Sequence, residues 1–203
     1  YPFEKTIKKT NNHEKIIENI DIGGPTMVRA AAKNYHDVTV ITSTDQYSEL
    51  INELKKNKGK TSLKFRQKMS RIAFNETAYY DSVISNYLNK LDNIKFPKKK
   101  IIHTNLIENL RYGENPHQES ALYSQNIKNK INQIHGKTLS FNNYNDIFSA
   151  LNISRTFPKN TGTVIVKHGN PCGASTKKNH LSSFKLALQS DPLSAFGGIV
   201  SCN

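Results

Sequence analysis

The chain has 203 residues, enough for one large domain or two small ones, and its 36% hydrophobic content is low but compatible with a folded core. No stretch is long and apolar enough to span a bilayer, no signal-peptide pattern is present, and Cys172 and Cys202 make no metal-ligand spacing, so a reducing, cytoplasmic setting is expected, with no membrane and no catalytic metal. The formal net charge of +13 would raise nucleic-acid binding, but Lys is scattered among Asn and Ile, and only Lys55-Lys56-Asn57-Lys58 and Lys98-Lys99-Lys100 form dense runs; a small anionic substrate would profit from the same field.

In chain order, Tyr1 to Thr10 reads as a loop or strand end. His13 to Ile20 has helical spacing, with Ile16, Ile17 and Ile20 on one side. Asp21-Ile22-Gly23-Gly24-Pro25 follows. The glycines allow positive φ or close backbone approach, and Pro25 suits a first helical position. A helix over Thr26 to Asn34 would then aim its free amides and dipole at one spot, an anion site; the plain alternative is a turn before a helix. Lys33 rides on that helix. Val38 to Thr42 reads as a strand. Tyr47 to Leu54 reads as a helix with Ser48 as a possible cap. Thr61 to Leu91 is helical again, with a break expected near Asn75. Strands and helices thus alternate, which argues α/β.

Asp92 to Lys100 has a proline, a lysine run and no apolar period, and marks a boundary between domains. Beyond it, Arg111 to Gln118 is dense in polar turn formers. Ala121 to Tyr123 and Leu139 to Phe141 are candidate strands, and Asn145 to Arg155 is a helix. Val164-Ile165-Val166 is a buried strand running into Lys167 and His168. Gly169 to Gly173 then reads as a turn, leaving a cation and a proton acceptor at the carboxyl end of a strand, where open α/β sheets bind ligands. Leu181 to Gln189 is a helix stopped by Asp191-Pro192, and Ile199-Val200 is a strand. The chain opens inside structure at Tyr1 and closes on an uncapped apolar segment, so an internal piece of a longer protein is expected.

Four segments together resemble one family: Ile20-Asp-Ile-Gly-Gly-Pro-Thr-Met-Val-Arg-Ala-Ala-Ala-Lys-Asn34, Arg111-Tyr-Gly-Glu-Asn-Pro-His-Gln118, Val166-Lys-His-Gly-Asn-Pro-Cys-Gly173 and Ser190-Asp-Pro-Leu-Ser-Ala-Phe-Gly-Gly198. They are similar, in the same order, to the bifunctional purine-biosynthesis family, which joins an inosine monophosphate cyclohydrolase to a phosphoribosylaminoimidazolecarboxamide formyltransferase. The resemblance implies an α/β chain in three parts. Residues 1–92 would be the later part of a methylglyoxal-synthase-like, Rossmann-type cyclohydrolase domain. Residues 93–104 would be a linker, and 105–203 the start of a cytidine-deaminase-like formyltransferase domain. Missing parts of both sites would leave the chain inactive by itself.

The same resemblance implies the last two steps of inosine monophosphate synthesis. Formyl passes from the co-substrate 10-formyltetrahydrofolate to the 5-amino group of the aminoimidazole carboxamide ribonucleotide, and the ring then closes with loss of water. His168 matches the proton acceptor, and an imidazole suits that task near neutral pH. Lys167 matches the neighbour that stabilises the transition state. Arg111 and Tyr112 match holders of the ribonucleotide, and Gly197 a substrate-contacting position. For ring closure Lys33, Tyr1 and Asp21 match catalytic positions, and Ile22, Gly23 and Gly24 border the nucleotide. His117 is read as a structural loop residue. Partners implied are the nucleotide, the folate and a second copy of the chain in a homodimer, with no nucleic acid.

Two other classes compete. A zinc deaminase or thiol enzyme could be built on His168 and Cys172, but His-x-Glu and Pro-Cys-x-x-Cys are incomplete here. A basic nucleic-acid module lacks aromatic-basic interleaving and any finger or RNA-recognition signature.

Overall fold

The computed structural model describes residues 1–125 and 131–203, which divide into two compact units, Tyr1–His103 and Thr104–Asn203. The chain as a whole mixes helices with small sheets.

The first unit is helical among its described residues. Helix α1 spans Phe3–Lys9, where the sequence suggested a loop or strand end. Helix α2, His13–Glu18, is capped by Asn12, whose side chain accepts from the Lys15 amide. Helix α3 runs Gly23–Lys33, and α4 runs Tyr47–Lys56. Ser43, rather than Ser48, caps the short 3-10 turn that leads into α4. Helix α5, Leu63–Leu91, has 29 residues and is capped by Ser62.

The break expected near Asn75 is not there. Phe65, Met69, Ala73 and Thr77 are buried at four-residue steps straight through that point, while Asn75 faces solvent. A polar residue on the outer face costs a helix little when the inner stripe is continuous. Phe3 and Ile16 close against Val83, with the Phe3 ring edge-on to Tyr80 and Tyr87 at 6.2 and 5.8 Å. Helix α3 lies on α5, where the Ser70 hydroxyl donates to the Ala32 carbonyl at 2.7 Å.

The strand expected over Val38 to Thr42 is absent. That segment has no regular secondary structure and is half-buried, and no described strand in this unit offers a ladder for its β-branched residues. Side chains satisfy it instead. The Thr42 amide donates to Gln46 Oε1 at 2.9 Å, and the Thr39 and Thr61 hydroxyls pair at 2.8 Å. Near the end of α5 the chain folds back, and Asn86 Nδ2 donates to the Ile101 carbonyl at 3.1 Å.

The second unit holds every strand described. Strands β1, Asn105–Asn109, and β2, Ala121–Ser124, pair antiparallel with an irregularity between Leu106 and Glu108. Helix α6 spans Phe141–Ser154. Leu139 to Phe141 is therefore not a strand: Ser140 caps α6, its hydroxyl accepting from the Asn143 amide while Asn143 Oδ1 accepts from the Ser140 amide. That reciprocal box outweighs the apolar pair flanking it. Strands β3, Gly162–Lys167, β4, Asn170–Thr176, and β5, Ile199–Cys202, form a sheet in the order β4-β3-β5.

All pairings in that sheet are antiparallel, so the strand end carrying Lys167 is a hairpin and not the carboxyl edge of an open parallel sheet. Helices cover both faces of β3, which explains its unbroken apolar run. Val164 and Val166 pack with Ala150 of α6. On the other face lies α7, His180–Ser190. A Cβ at Gly173, the cross-strand partner of Ile165, would stand 2.0 Å from the Ala187 carbonyl oxygen of that helix. Asp191 ends α7 and caps the short helix α8, Pro192–Ala195.

Candidate functional site

The β3–β4 hairpin turns on two residues, His168 and Gly169, between the paired Lys167 and Asn170. Both have left-handed backbone, with φ of 53° and 75°. Positive φ at both central positions is what a two-residue hairpin needs to match the twist of its strands. It is uncommon for a non-glycine residue, and histidine tolerates it better than most. The turn therefore comprises only His168 and Gly169; Asn170 to Gly173 already belong to β4. Cys172 sits where the register shifts between Pro171 and Gly173, and its Sγ donates to the Ile165 carbonyl at 3.5 Å. It is part of the strand irregularity and makes no described contact with His168.

Each flank of the turn is tied down. Lys167 Nζ donates to the Phe196 carbonyl at 2.8 Å, bringing the ammonium to the residue before Gly197. Gly197 has φ of 75°, which turns the chain from α8 into β5. The Gly169 amide donates to Asp146 Oδ1 at 2.6 Å, and Asn170 Nδ2 donates to the His168 carbonyl at 3.0 Å. The His168 side chain faces solvent.

Arg111 and Tyr112 form a second group. The guanidinium lies over the Tyr112 ring at 4.8 Å, and Arg111 Nη2 donates to the Tyr112 hydroxyl at 3.1 Å. The Ser140 hydroxyl and then the Arg111 guanidinium hold the Tyr112 phenol below its ordinary pKa. Gln118 closes the loop that follows, its carbonyl accepting from the Gly113 amide at 2.8 Å and its Oε1 from the Asn115 amide at 2.8 Å. His117 is exposed at the rim of that loop.

Helix α6 connects the two groups. At its start the Phe141 amide donates to the Tyr112 carbonyl at 3.2 Å, and Asn142 Nδ2 to the Glu114 carbonyl at 3.0 Å. Farther along, Asp146 reaches the hairpin turn. Arg111 and Tyr112 are thus set relative to Lys167 and His168 by one helix, without direct contact between the pairs among the described hydrogen bonds. Sequence reasoning missed Ser140 and Asp146. The signal for Asp146 was present, because Asp146, Ala150 and Ser154 recur at four-residue steps and a carboxylate in that buried stripe needs a partner.

In the first unit, Asp21 bridges the entry to α3. Its Oδ1 accepts from the Gly24 amide at 2.8 Å, and its Oδ2 lies 3.4 Å from the Tyr1 backbone nitrogen. The expected anion position is therefore taken, in part, by the chain's own carboxylate. A Cβ at Gly24 would stand 2.5 Å from Asp21 Oδ2, so this glycine serves close approach, while neither Gly23 nor Gly24 has positive φ. Pro25 is the third helical residue, not the first. Tyr80 of α5, also missed, supports the loop: its hydroxyl accepts from the Asp21 amide at 2.7 Å.

Ile22 and Gly23 are exposed at this entry, and the Tyr1 side chain is open to solvent. Lys33, exposed in the last turn of α3, is separated from Gly23 by about 15 Å of helix rise. The structure joins Asp21 and Gly24, leaves the Tyr1 side chain in solvent, and leaves Lys33 at the far end. Among the described residues no group of three His, Cys, Asp or Glu side chains could hold a metal ion, and no helix is long and apolar enough to cross a membrane.

A family model described as the AICARFT/IMPCHase bienzyme matches residues 31–203. A bifunctional purine biosynthesis protein PurH of Persephonella marina is 47% identical over 211 residues, covering 100% of this chain and 41% of that relative. Relatives of the same description from a Thermoanaerobacter species and from Bradyrhizobium diazoefficiens are 46% and 44% identical, each over 100% of this chain and over 41% and 39% of their own lengths. The chain spans about two fifths of the length of these curated relatives.

Proposed function

The chain belongs to the AICARFT/IMPCHase bienzyme family, and from that premise we propose that the whole protein carries out the last two steps of inosine monophosphate synthesis. Residues 105–203 contribute to a cytidine-deaminase-like formyltransferase domain and residues 1–92 to a methylglyoxal-synthase-like cyclohydrolase domain, joined through 93–104. The whole enzyme works in the cytoplasm as a homodimer on a nucleotide and a formyl-folate, with no catalytic metal. The observation that carries the reading is the turn at Lys167-His168-Gly169. It presents an imidazole outward beside an ammonium that is itself held at the Phe196-Gly197 corner.

In formyl transfer, the 5-amino nitrogen of the ribonucleotide attacks the formyl carbon of 10-formyltetrahydrofolate. That amine is a poor nucleophile, because its lone pair is spread into the ring and the carboxamide. His168 takes its proton as the new bond forms. Lys167 keeps two of its three N–H donors free of the Phe196 carbonyl, and these stabilise the negative charge building on the formyl oxygen. Arg111 and Tyr112 hold the ribonucleotide, the guanidinium being pre-oriented by its stack on the phenol. Gly197 leaves open space for the substrate, since a Cβ there would meet nothing within 4 Å.

In ring closure, the carboxamide nitrogen attacks the formyl carbon of the product and water leaves. Positioning supplies much of the acceleration for such an intramolecular step. Ile22, Gly23 and Gly24 border the nucleotide at the entry to α3, next to Asp21 and Tyr1. Lys33 serves the reaction from the other end of that helix.

The test is a pair of substitutions in the whole enzyme. His168→Ala abolishes formyl transfer and leaves cyclisation of supplied formylated nucleotide intact, and Lys33→Ala does the reverse. Equal damage to both reactions by both variants, with folding preserved, would end the two-site assignment.

A further inference from the structure

We infer that Asp146 is a positioning residue for formyl transfer: its buried carboxylate clamps the Gly169 amide and so holds the His168-Gly169 turn in the left-handed conformation that aims the imidazole. The inference rests on the formyltransferase reading of His168. Asp146 is the one carboxylate among the buried polar residues described, with 9% of its surface exposed, and it lies in the core stripe of α6 with Ala150 and Ser154. Its Oδ1 accepts from the Gly169 amide at 2.6 Å, a short contact between a side-chain carboxyl and a backbone N–H.

The clamp acts where the backbone is least willing. In a two-residue hairpin the paired flanks, Lys167 and Asn170, satisfy each other, but the amides of the central residues point out of the ladder. One of those amides is Gly169 N–H, and Asp146 takes it. A residue with φ of 53° would drift toward negative φ unless its surroundings held it, and that rotation would swing the His168 side chain away. Asn145 of the same helix also lies close to the turn, its Nδ2 3.2 Å from where a Cβ at Gly169 would stand. Because the same helix receives the Tyr112 loop at its start, the clamp also fixes the distance from the imidazole to the nucleotide holders. Asp146 itself touches no reacting atom.

The test uses the whole enzyme with Asp146→Ala and Asp146→Asn. An asparagine oxygen can still accept from Gly169, whereas alanine cannot. For Asp146→Ala, kcat of formyl transfer falls by roughly 10- to 100-fold, the scale expected of a small misplacement. KM for the nucleotide changes by less than about threefold and cyclisation is unchanged, as for a residue that acts on the transition state and not on uniform binding. Asp146→Asn recovers most of the loss. Hydrogen exchange at the Gly169 amide accelerates in the alanine variant and stays slow in the asparagine variant. This second measurement tests the clamp even if His168→Ala were to show that His168 is not the proton acceptor. Unchanged kcat together with unchanged Gly169 exchange in Asp146→Ala would overturn the inference. So would equal loss of formyl transfer in both variants, or loss of both reactions together.

Discussion

Burial, and then the hydrogen bond to Glu108, push the Tyr144 phenol up to about 12. The neutral form is the one the fold prefers, so between the unfolded value near 10 and the folded value the native state holds the proton more tightly than the unfolded chain. This contribution to stability is fully present below about pH 10 and is lost as pH rises through about 12. Comparing urea midpoints at pH 8 and pH 11 should show a smaller alkaline loss in Tyr144→Phe than in the parent; an identical loss would show that titration of Tyr144 does not contribute to it. At this scale the sequence was legible where a residue announces its own chemistry. Lys167 and His168 draw attention by their type at a strand end, whereas Arg111 and Tyr112 are singled out only by what the family resemblance implies. Tyr80 does not stand out, because its partner is a distant amide that only tertiary packing brings to it; Asp146 left the signal of a carboxylate in a buried stripe but not its partner, and Ser140 left a local capping pattern.

Helix α7 crosses the sheet so closely at Gly173 that a Cβ there would collide with the Ala187 carbonyl. Backbone cannot give way as a flexible side-chain tip can. Gly173→Ala should therefore cost about 2 kcal/mol of unfolding free energy by overpacking, read as a lowered urea midpoint, although alanine is the better residue in an ordinary strand. An unchanged or raised midpoint would mean that α7 does not press on β4. Elements with strong internal signals were legible: α5, β2, β3, α7 and β5 lie close to where periodicity puts them. Val38 to Thr42 failed for the opposite reason. A β-branched run specifies an extended chain, but a strand also needs a partner, and propensity says nothing about that. Leu139 to Phe141 failed because a capping box at Ser140 and Asn143 overrode two apolar residues.

For the molecule as a whole, the lysine- and proline-bearing stretch after α5 has no apolar period to bury, and that is what suggested a linker there. The compact units divide between His103 and Thr104, at the far end of the expected linker 93–104, where Asn86 holds the returning chain against α5. The sense of the main sheet was not legible. Buried apolar runs suit a parallel strand with helices on both faces, and they suit equally well an antiparallel β3 sandwiched by α6 and α7.

The left-handed backbone at His168 has a consequence for the molecule's durability. Asparagine occupies this conformation more readily than histidine, and Asn-Gly is the favoured pair for such a turn. His168→Asn should therefore make a sturdier protein that has lost its formyl transfer. Measured in the whole enzyme, a gain of roughly 1 kcal/mol appears as a raised thermal midpoint. An inactive variant that melts at or below the parent temperature would show that histidine rests there without strain. The opposite result would place the imidazole among the residues kept for work at the expense of endurance.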